Sequence, residues 1–509
     1  MKLFKKIAAI MLSIMMVLGM ASMVSAEGTT TSGTYGDNNG TITISNAIKD
    51  HTYTIYRILK LESFSGKRST GTNTGNYAYT VEDGWDAFVS DSTTGGKYLT
   101  KDSSGYVTWK TGVNENDAAN LAKEALEYAK KTTTITPAKN AIKASGTAVT
   151  FPELPLGYYL VASSGGALCS LDTTAKDAKI QEKNGVPSVD KKVQEDSEIG
   201  KTDEWAKSNT ADIGQTVYFQ TTITAQSGAQ NYVLHDKMDD GLTFTDSSVA
   251  VKFKSGETEK NLTKATDYTL TTSGFSDGCT FEIAFTKAFC DTLKADDQII
   301  VTYSATLNEN AVIAGVVNKN ETWLKYGENS NTTHDTTTTK TYSIPVFKYT
   351  KEGTDDKALA GATFTLSKNS EGTNPINLVS VSKNDTTGDI YRVAKETEAT
   401  ETTKVTEITT TKFGKFTIKG LDADTYYLTE TKQPDGYNKL SAPIKVVIAE
   451  DGTITVNDQT PSVTEVKVEN NTGSILPSTG GSGTTLIYIL GAILVLGSSV
   501  VLITKKRMR

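Results

Sequence analysis

Through most of the chain, apolar and polar residues alternate one by one. The stretches "TVYFQTTITA", "SVAVKFK", "QIIVTYSATL", "KFTIKGL" and "IKVVIAED" are examples. A period of two places one set of side chains on each face of a strand, so each run predicts a strand with one buried face. Glycine, asparagine and aspartate interrupt the runs about every 8 to 12 residues, the spacing of all-β sandwiches strung in series. One segment breaks the pattern. "NENDAANLAKEALEYAKK" has acidic residues at its start, lysines at its end, and Ala118, Leu121, Ala125 and Tyr128 along one stripe. It predicts a helix packed as an insertion on the first sandwich.

Two apolar runs do not alternate, and they fix the compartment. The chain opens "MKLFKKIAAIMLSIMMVLGMASMVSAEG", in which lysines precede an apolar stretch and Val24-Ser25-Ala26 supplies a small-residue cleavage site. Residues 1–26 therefore predict a secretory signal peptide. Near the other end, Leu486 to Ile503 are 18 residues without charge, enough for one helical bilayer crossing. Lys505, Lys506, Arg507 and Arg509 would hold the C-terminus on the cytoplasmic side. Everything from Glu27 to Thr479 is then expected outside the cytoplasm.

Without the three leading lysines and the four basic tail residues, the net charge moves from −7 to −14. So acidic a surface argues against nucleic acid and anionic lipid as partners. The exported part is too long for one ordinary core and suggests about three domains. Composition shifts at "QEKNGVPSVDKKV" and at the threonine-rich "GENSNTTHDTTTTKTYSIP". They divide the chain into 27–184, 185–335 and 343–472, with a terminal segment 476–509. Only Cys169, Cys279 and Cys290 are present, so no disulfide framework holds the chain together. Cys279 and Cys290 could pair or remain free core thiols. His51, His235 and His334 are scattered with no metal-ligand spacing, and no nucleophile motif has a partner; neither metal nor cofactor nor turnover enzyme is expected.

The pentapeptide Leu476-Pro477-Ser478-Thr479-Gly480, followed by the apolar run and the basic tail, resembles the sorting signal of Gram-positive surface proteins. The resemblance implies that a sortase cleaves between Thr479 and Gly480 and passes the Thr479 carbonyl to an amine. Pro477 fixes a kink, and "GGSGTT" is a flexible leash to the membrane face. The stretch "KIQEKNGVPSVDKKV" resembles the junction of backbone pilins in which a lysine followed by asparagine is the acceptor. On this chain that lysine is Lys183, although Gln181-Glu182 stand where the family more often has Tyr-Pro.

The last domain, from "VFKYTKEGTDDKALAGATFTLS" through "GLDADTYYLTETKQPDGY" to "VTEVKVENNTG", resembles a collagen-adhesin B-type immunoglobulin-like sandwich. That family implies an intramolecular isopeptide bond from Lys348 to Asn470 assisted by Glu430. The middle domain resembles the related A type, with Lys191 as nucleophile, Asp236 as acid and Asn320 as acceptor; Asn318 shares a face with Asn320 and is the fallback. The first domain resembles another B-type sandwich without an identifiable trio. Burial would lower the lysine pKa values and raise those of the carboxyls, leaving a free amine beside a proton donor. Both bonds are expected to join the first strand of a domain to its last, so that tension bypasses the core. A cross-link closing a loop of more than 100 residues constrains the unfolded state by roughly 4 to 5 kcal/mol.

The resemblance as a whole implies an elongated array of sandwiches serving as the shaft subunit of a cell wall-anchored pilus that supports adhesion. Its implied partners are pilin-specific and housekeeping sortases, copies of itself, minor tip and base pilins, peptidoglycan, and a host or matrix ligand. The alternative is an ancillary or basal pilin, or a monomeric peptidoglycan-anchored adhesin, which would use the sorting signal but not Lys183.

Overall fold

In the computed structural model the chain divides into two compact units, 1–341 and 342–509. It describes residues 33–34, 38–65, 68–69, 72–73, 76–172, 177–182, 184–195, 204–313, 315–384, 387–395, 398, 404–473 and 482–507. The signal segment, Lys183 and Leu476 to Gly480 lie outside the described residues.

The first unit begins with a sandwich whose larger sheet is centred on the long strand Thr52–Ser65. Asn38–Ser45 lies in the smaller sheet, antiparallel to Ala148–Pro155 and parallel to Asp177–Gln181. Ile42, Ile44, Tyr53, Ile55, Phe151 and Val161 pack between the two sheets. The helix Glu115–Lys131 covers the other face of the larger sheet. It buries Leu121, Ala122, Ala125, Leu126 and Ala129 against Ile58, Trp85, Phe88 and Leu160. Ala118 and Tyr128, expected on the buried stripe, are only half-buried, because the contact is centred on Ala122 and Leu126. With both faces covered, every residue of Gly157–Ser163 is buried, which explains why "GYYLVAS" is a continuous apolar run.

The second sandwich of this unit has two sheets. One contains Ser188–Glu195, Thr216–Thr224 and Gln298–Leu307; the other contains Val233–Met238, Asn318–Tyr326 and Asp335–Lys340. The last of these corrects the reading of the threonine-rich stretch as a linker. Thr337 and Thr339 are buried, and the strand is antiparallel to Asn318–Tyr326 and parallel to Ser208–Thr210. Threonine is β-branched and suits a pleated surface, but a run of one residue type carries no apolar alternation to reveal the strand.

The second unit is again two sheets. One pairs Tyr342–Glu352 antiparallel with Lys415–Leu421 and parallel with Val466–Glu469. The other is built around Thr363–Ser367 and Thr425–Lys432, with Ile444–Ile448 beside them. A helix follows at Ser482–Arg507. Its described side chains, 488–501, are exposed; fourteen residues span about 21 Å, and among the described residues no helix is long and apolar enough to cross a membrane.

Candidate functional site

Alternation along Ser188–Glu195 turns Lys191, Val193 and Glu195 inward, and Lys192 outward with 40% of its side chain exposed. Lys191 is fully buried. Its Nζ donates to Asp236 Oδ2 at 2.6 Å and to the Tyr303 hydroxyl. Tyr303 donates in turn to Asp236 and accepts from Asn320 Nδ2 at 3.3 Å. Asp236 and Asn320 lie on adjacent antiparallel strands of one sheet, and Lys191 reaches them from the other. The rings of Phe219 and Tyr303 stand 5.4 and 5.0 Å from Nζ. In this apolar setting desolvation pulls the Lys191 amine below its ordinary pKa, against the attraction of Asp236. Desolvation likewise pushes the Asp236 carboxyl up. Two oxygens of the cluster, Asp236 Oδ1 and Asn320 Oδ1, are buried without a hydrogen-bond partner.

Asn318 is buried on the same face but is otherwise engaged. Its Oδ1 accepts the Val312 N–H at 3.0 Å, and its Nδ2 donates to the carbonyls of Val312 and Thr339. Of the two asparagines left open by the sequence, Asn320 is the one beside Tyr303. The expectation that the Lys191 cluster joins a first strand to a last one is corrected: Ser330–Asn331 and Asp335–Lys340 follow the strand of Asn320.

The second cluster uses different topology. Lys348 pairs in parallel register with Val468, and Asn470 follows the end of that strand. Lys348, Glu430 and Asn470 are all buried. Lys348 Nζ lies 4.0 Å from Glu430 Oε1 and donates to the Val468 carbonyl at 2.9 Å. Asn470 Nδ2 donates to Glu430 Oε2 at 3.1 Å and to the Asn438 carbonyl. Burial pulls the Lys348 amine down to about 8, with Glu430 opposing. Here too, Glu430 Oε1 and Asn470 Oδ1 are buried without a hydrogen-bond partner.

Three contributors escaped the sequence reading. Tyr303 was legible only as one more inward position in "QIIVTYSATL". The Leu440 N–H, donating to Glu430 Oε2 at 2.8 Å, and the Asn438 carbonyl come from backbone, which residue identity does not announce. In the first sandwich, no lysine among the described residues is buried. Cys279 and Cys290 are both free thiols.

Residues 213–330 match the family model described as Gram-positive pilin backbone subunit 2, Cna-B-like domain. Residues 346–460 match the SpaA prealbumin-like fold domain. Two separate stretches of the chain are thus similar to pilin domains, each over less than a quarter of its length. The first match includes Asp236, Tyr303 and Asn320, and the second includes Lys348 and Glu430. The B-like description of the middle domain differs from the A-type resemblance; the two clusters nonetheless differ in geometry, since Lys191 and Asn320 stand on opposite sheets, whereas the strand of Lys348 is the parallel neighbour of the strand that leads to Asn470, with Glu430 reaching both from the other sheet.

A stretch of 87 residues is 39% identical to fimbrial subunit type 1 of Actinomyces viscosus, covering 17% of this chain and 16% of that protein. The chain thus spans about one-sixth of the length of this relative. Among solved structures, the T6 backbone pilin of serotype M6 Streptococcus pyogenes is 14% identical with a TM-score of 0.47, over 84% of this chain and 81% of that one. The pilus 2b backbone protein of group B streptococcus is 26% identical with a TM-score of 0.40, over 58% of this chain and all of that one.

Proposed function

We propose that this pilin is the shaft subunit of a covalently polymerised surface pilus, hardened by one isopeptide bond in each of its two pilin domains. The observation that carries the reading is the pair of buried lysine, carboxyl and asparagine clusters. A buried charged lysine is costly to hold, whereas a neutral amine beside a neutral acid is poised for acyl transfer. Protonation of the carboxyl supplies the donor that the orphaned asparagine oxygen lacks, and it polarises the amide. The lysine Nζ then attacks the asparagine Cγ. An Nζ–Cγ bond forms, the Cγ–Nδ2 bond breaks, and the amide nitrogen leaves as ammonia, taking up the one proton that the neutral amine sheds. Contact enforced by the fold replaces a bimolecular encounter, an advantage of about 10⁵ M or more in effective concentration. The reaction runs once per domain and turns over no substrate.

Polymerisation uses a second amine. In this reading a sortase cleaves after Thr479 and transfers its carbonyl to Lys183 of another copy, while the signal segment directs export. The apolar run Leu486–Ile503 then parks the chain in the membrane until transfer, and attachment to peptidoglycan ends the process. The sequence neighbours of Lys183 are both engaged: the Glu182 N–H donates to the Ser45 carbonyl, and the Asn184 N–H donates to Glu182 Oε1. Immunoblots of wall extracts should show a ladder of high-mass species that Lys183→Arg reduces to monomer. A single monomeric band from the wild-type chain would instead support an anchored adhesin.

A further inference from the structure

The strand that carries Asp236 inward carries His235 outward, because successive side chains alternate. On that outer face His235 is paired directly with Glu282 of the neighbouring strand Phe281–Phe285. The turn before that strand adds Asp277 and Cys279, and Gly278 between them adopts φ +77°. His235 Nδ1 lies 3.1 Å from Asp277 Oδ2, 3.2 Å from Glu282 Oε1 and 3.4 Å from Cys279 Sγ. The ligand atoms of all four residues fall within 4.8 Å of one another.

From this arrangement we propose a divalent transition-metal site formed by His235 Nδ1, Asp277, Cys279 and Glu282. A neutral imidazole nitrogen is either a one-proton donor or an acceptor, so a single hydrogen bond cannot satisfy three electron-rich neighbours at once. One cation at their centre can. Bonds of about 2.0–2.3 Å in tetrahedral geometry separate neighbouring ligand atoms by about 3.3–3.6 Å, close to the spacing around Nδ1. The donor set of one imidazole, one thiol and two carboxylates suits zinc-like ions rather than calcium or magnesium, which take oxygen alone. Metal binding would release the thiol proton to solvent and leave a thiolate ligand.

The surroundings fix the ring that such a site needs. His235 stacks on Trp323 at 5.0 Å and 12°, and Trp323 stacks on His334 at 4.4 Å and 3°. The other ring nitrogen of His235 is buried without a partner, leaving Nδ1 as the coordinating atom. The site is also accessible. His235 and Glu282 line a cavity of about 640 Å³ with Asn231 and Lys325, and Asp277 is exposed to solvent.

The test is titration of the reduced, chelator-treated full chain with Co²⁺, followed by displacement with Zn²⁺. The expected result is uptake of one equivalent with a thiolate-to-cobalt absorption band, abolished in Cys279→Ser and retained in Cys290→Ser. Glu282→Gln keeps the fold independent of the thiol and should weaken Co²⁺ binding tenfold or more. Absence of the band at one equivalent, or a band and affinity unchanged in both Cys279→Ser and Glu282→Gln, would overturn the proposal.

Discussion

Burial lowers the pKa of the Lys191 amine and raises that of the Asp236 carboxyl, and Tyr303 stands where the two meet. Its hydroxyl touches the Lys191 amine, Asp236 and Asn320 together. Tyr303→Phe keeps the ring and deletes that shared neighbour. The variant should form the Lys191–Asn320 bond slowly, so that intact-mass spectra contain a fraction heavier by about 17 Da, one retained ammonia. Complete conversion at the wild-type rate would exclude a role for the hydroxyl. Lys348 gives a pH test. In Asn470→Ala its amine stays free, with a folded pKa of about 8 against an ordinary value of 10.5. Between these values the unfolded chain binds more protons than the native one, so stability rises with pH across that window and is flat below it. The rise is about 3 kcal/mol. A wild-type chain whose amine is consumed lacks this component, and equal slopes of urea midpoint against pH in the two proteins would contradict the assignment.

Among the elements, the strand Asn318–Tyr326 separates two look-alike asparagines. Asn318→Ala removes the side-chain contacts that tie the strand to Val312 and Thr339, and should cost about 1–3 kcal/mol in chemical denaturation while leaving the bond intact. Asn320→Ala should abolish the bond. The reverse pattern in the mass spectra would reassign the acceptor. Much of this was legible in advance. The family resemblance named Lys191, Lys348 and Glu430, and the period of two along their strands turns each of them inward. Two things were not legible. The threonine strand Asp335–Lys340 has no apolar alternation, and the His235 cluster is assembled by a strand pairing and a turn, so its members follow no local motif. The backbone groups that complete the Glu430 site leave no trace in residue identity for the same reason.

At the scale of the whole molecule the two bonds would close the loops 191–320 and 348–470, leaving 321–347 between them as the part that tension can extend. Drawn out fully, those residues reach at most about 95 Å. Stretching single molecules held at Lys183 and Thr479, which leaves the first sandwich out of the load path, should therefore peel the strand Asp335–Lys340 from its sheet and then stop, whereas Lys191→Ala and Lys348→Ala together should release both sandwiches. A wild-type chain that unravels to its full length would refute the strapped design. The account rests on acylation of those two buried amines, and intact-mass spectrometry of the purified exported chain measures it most directly. It predicts a deficit of about 34 Da from the sequence mass, two ammonias, with tryptic peptides joined at Lys191–Asn320 and Lys348–Asn470. A mass equal to that of the sequence, with both lysines recovered as free amines, would contradict it.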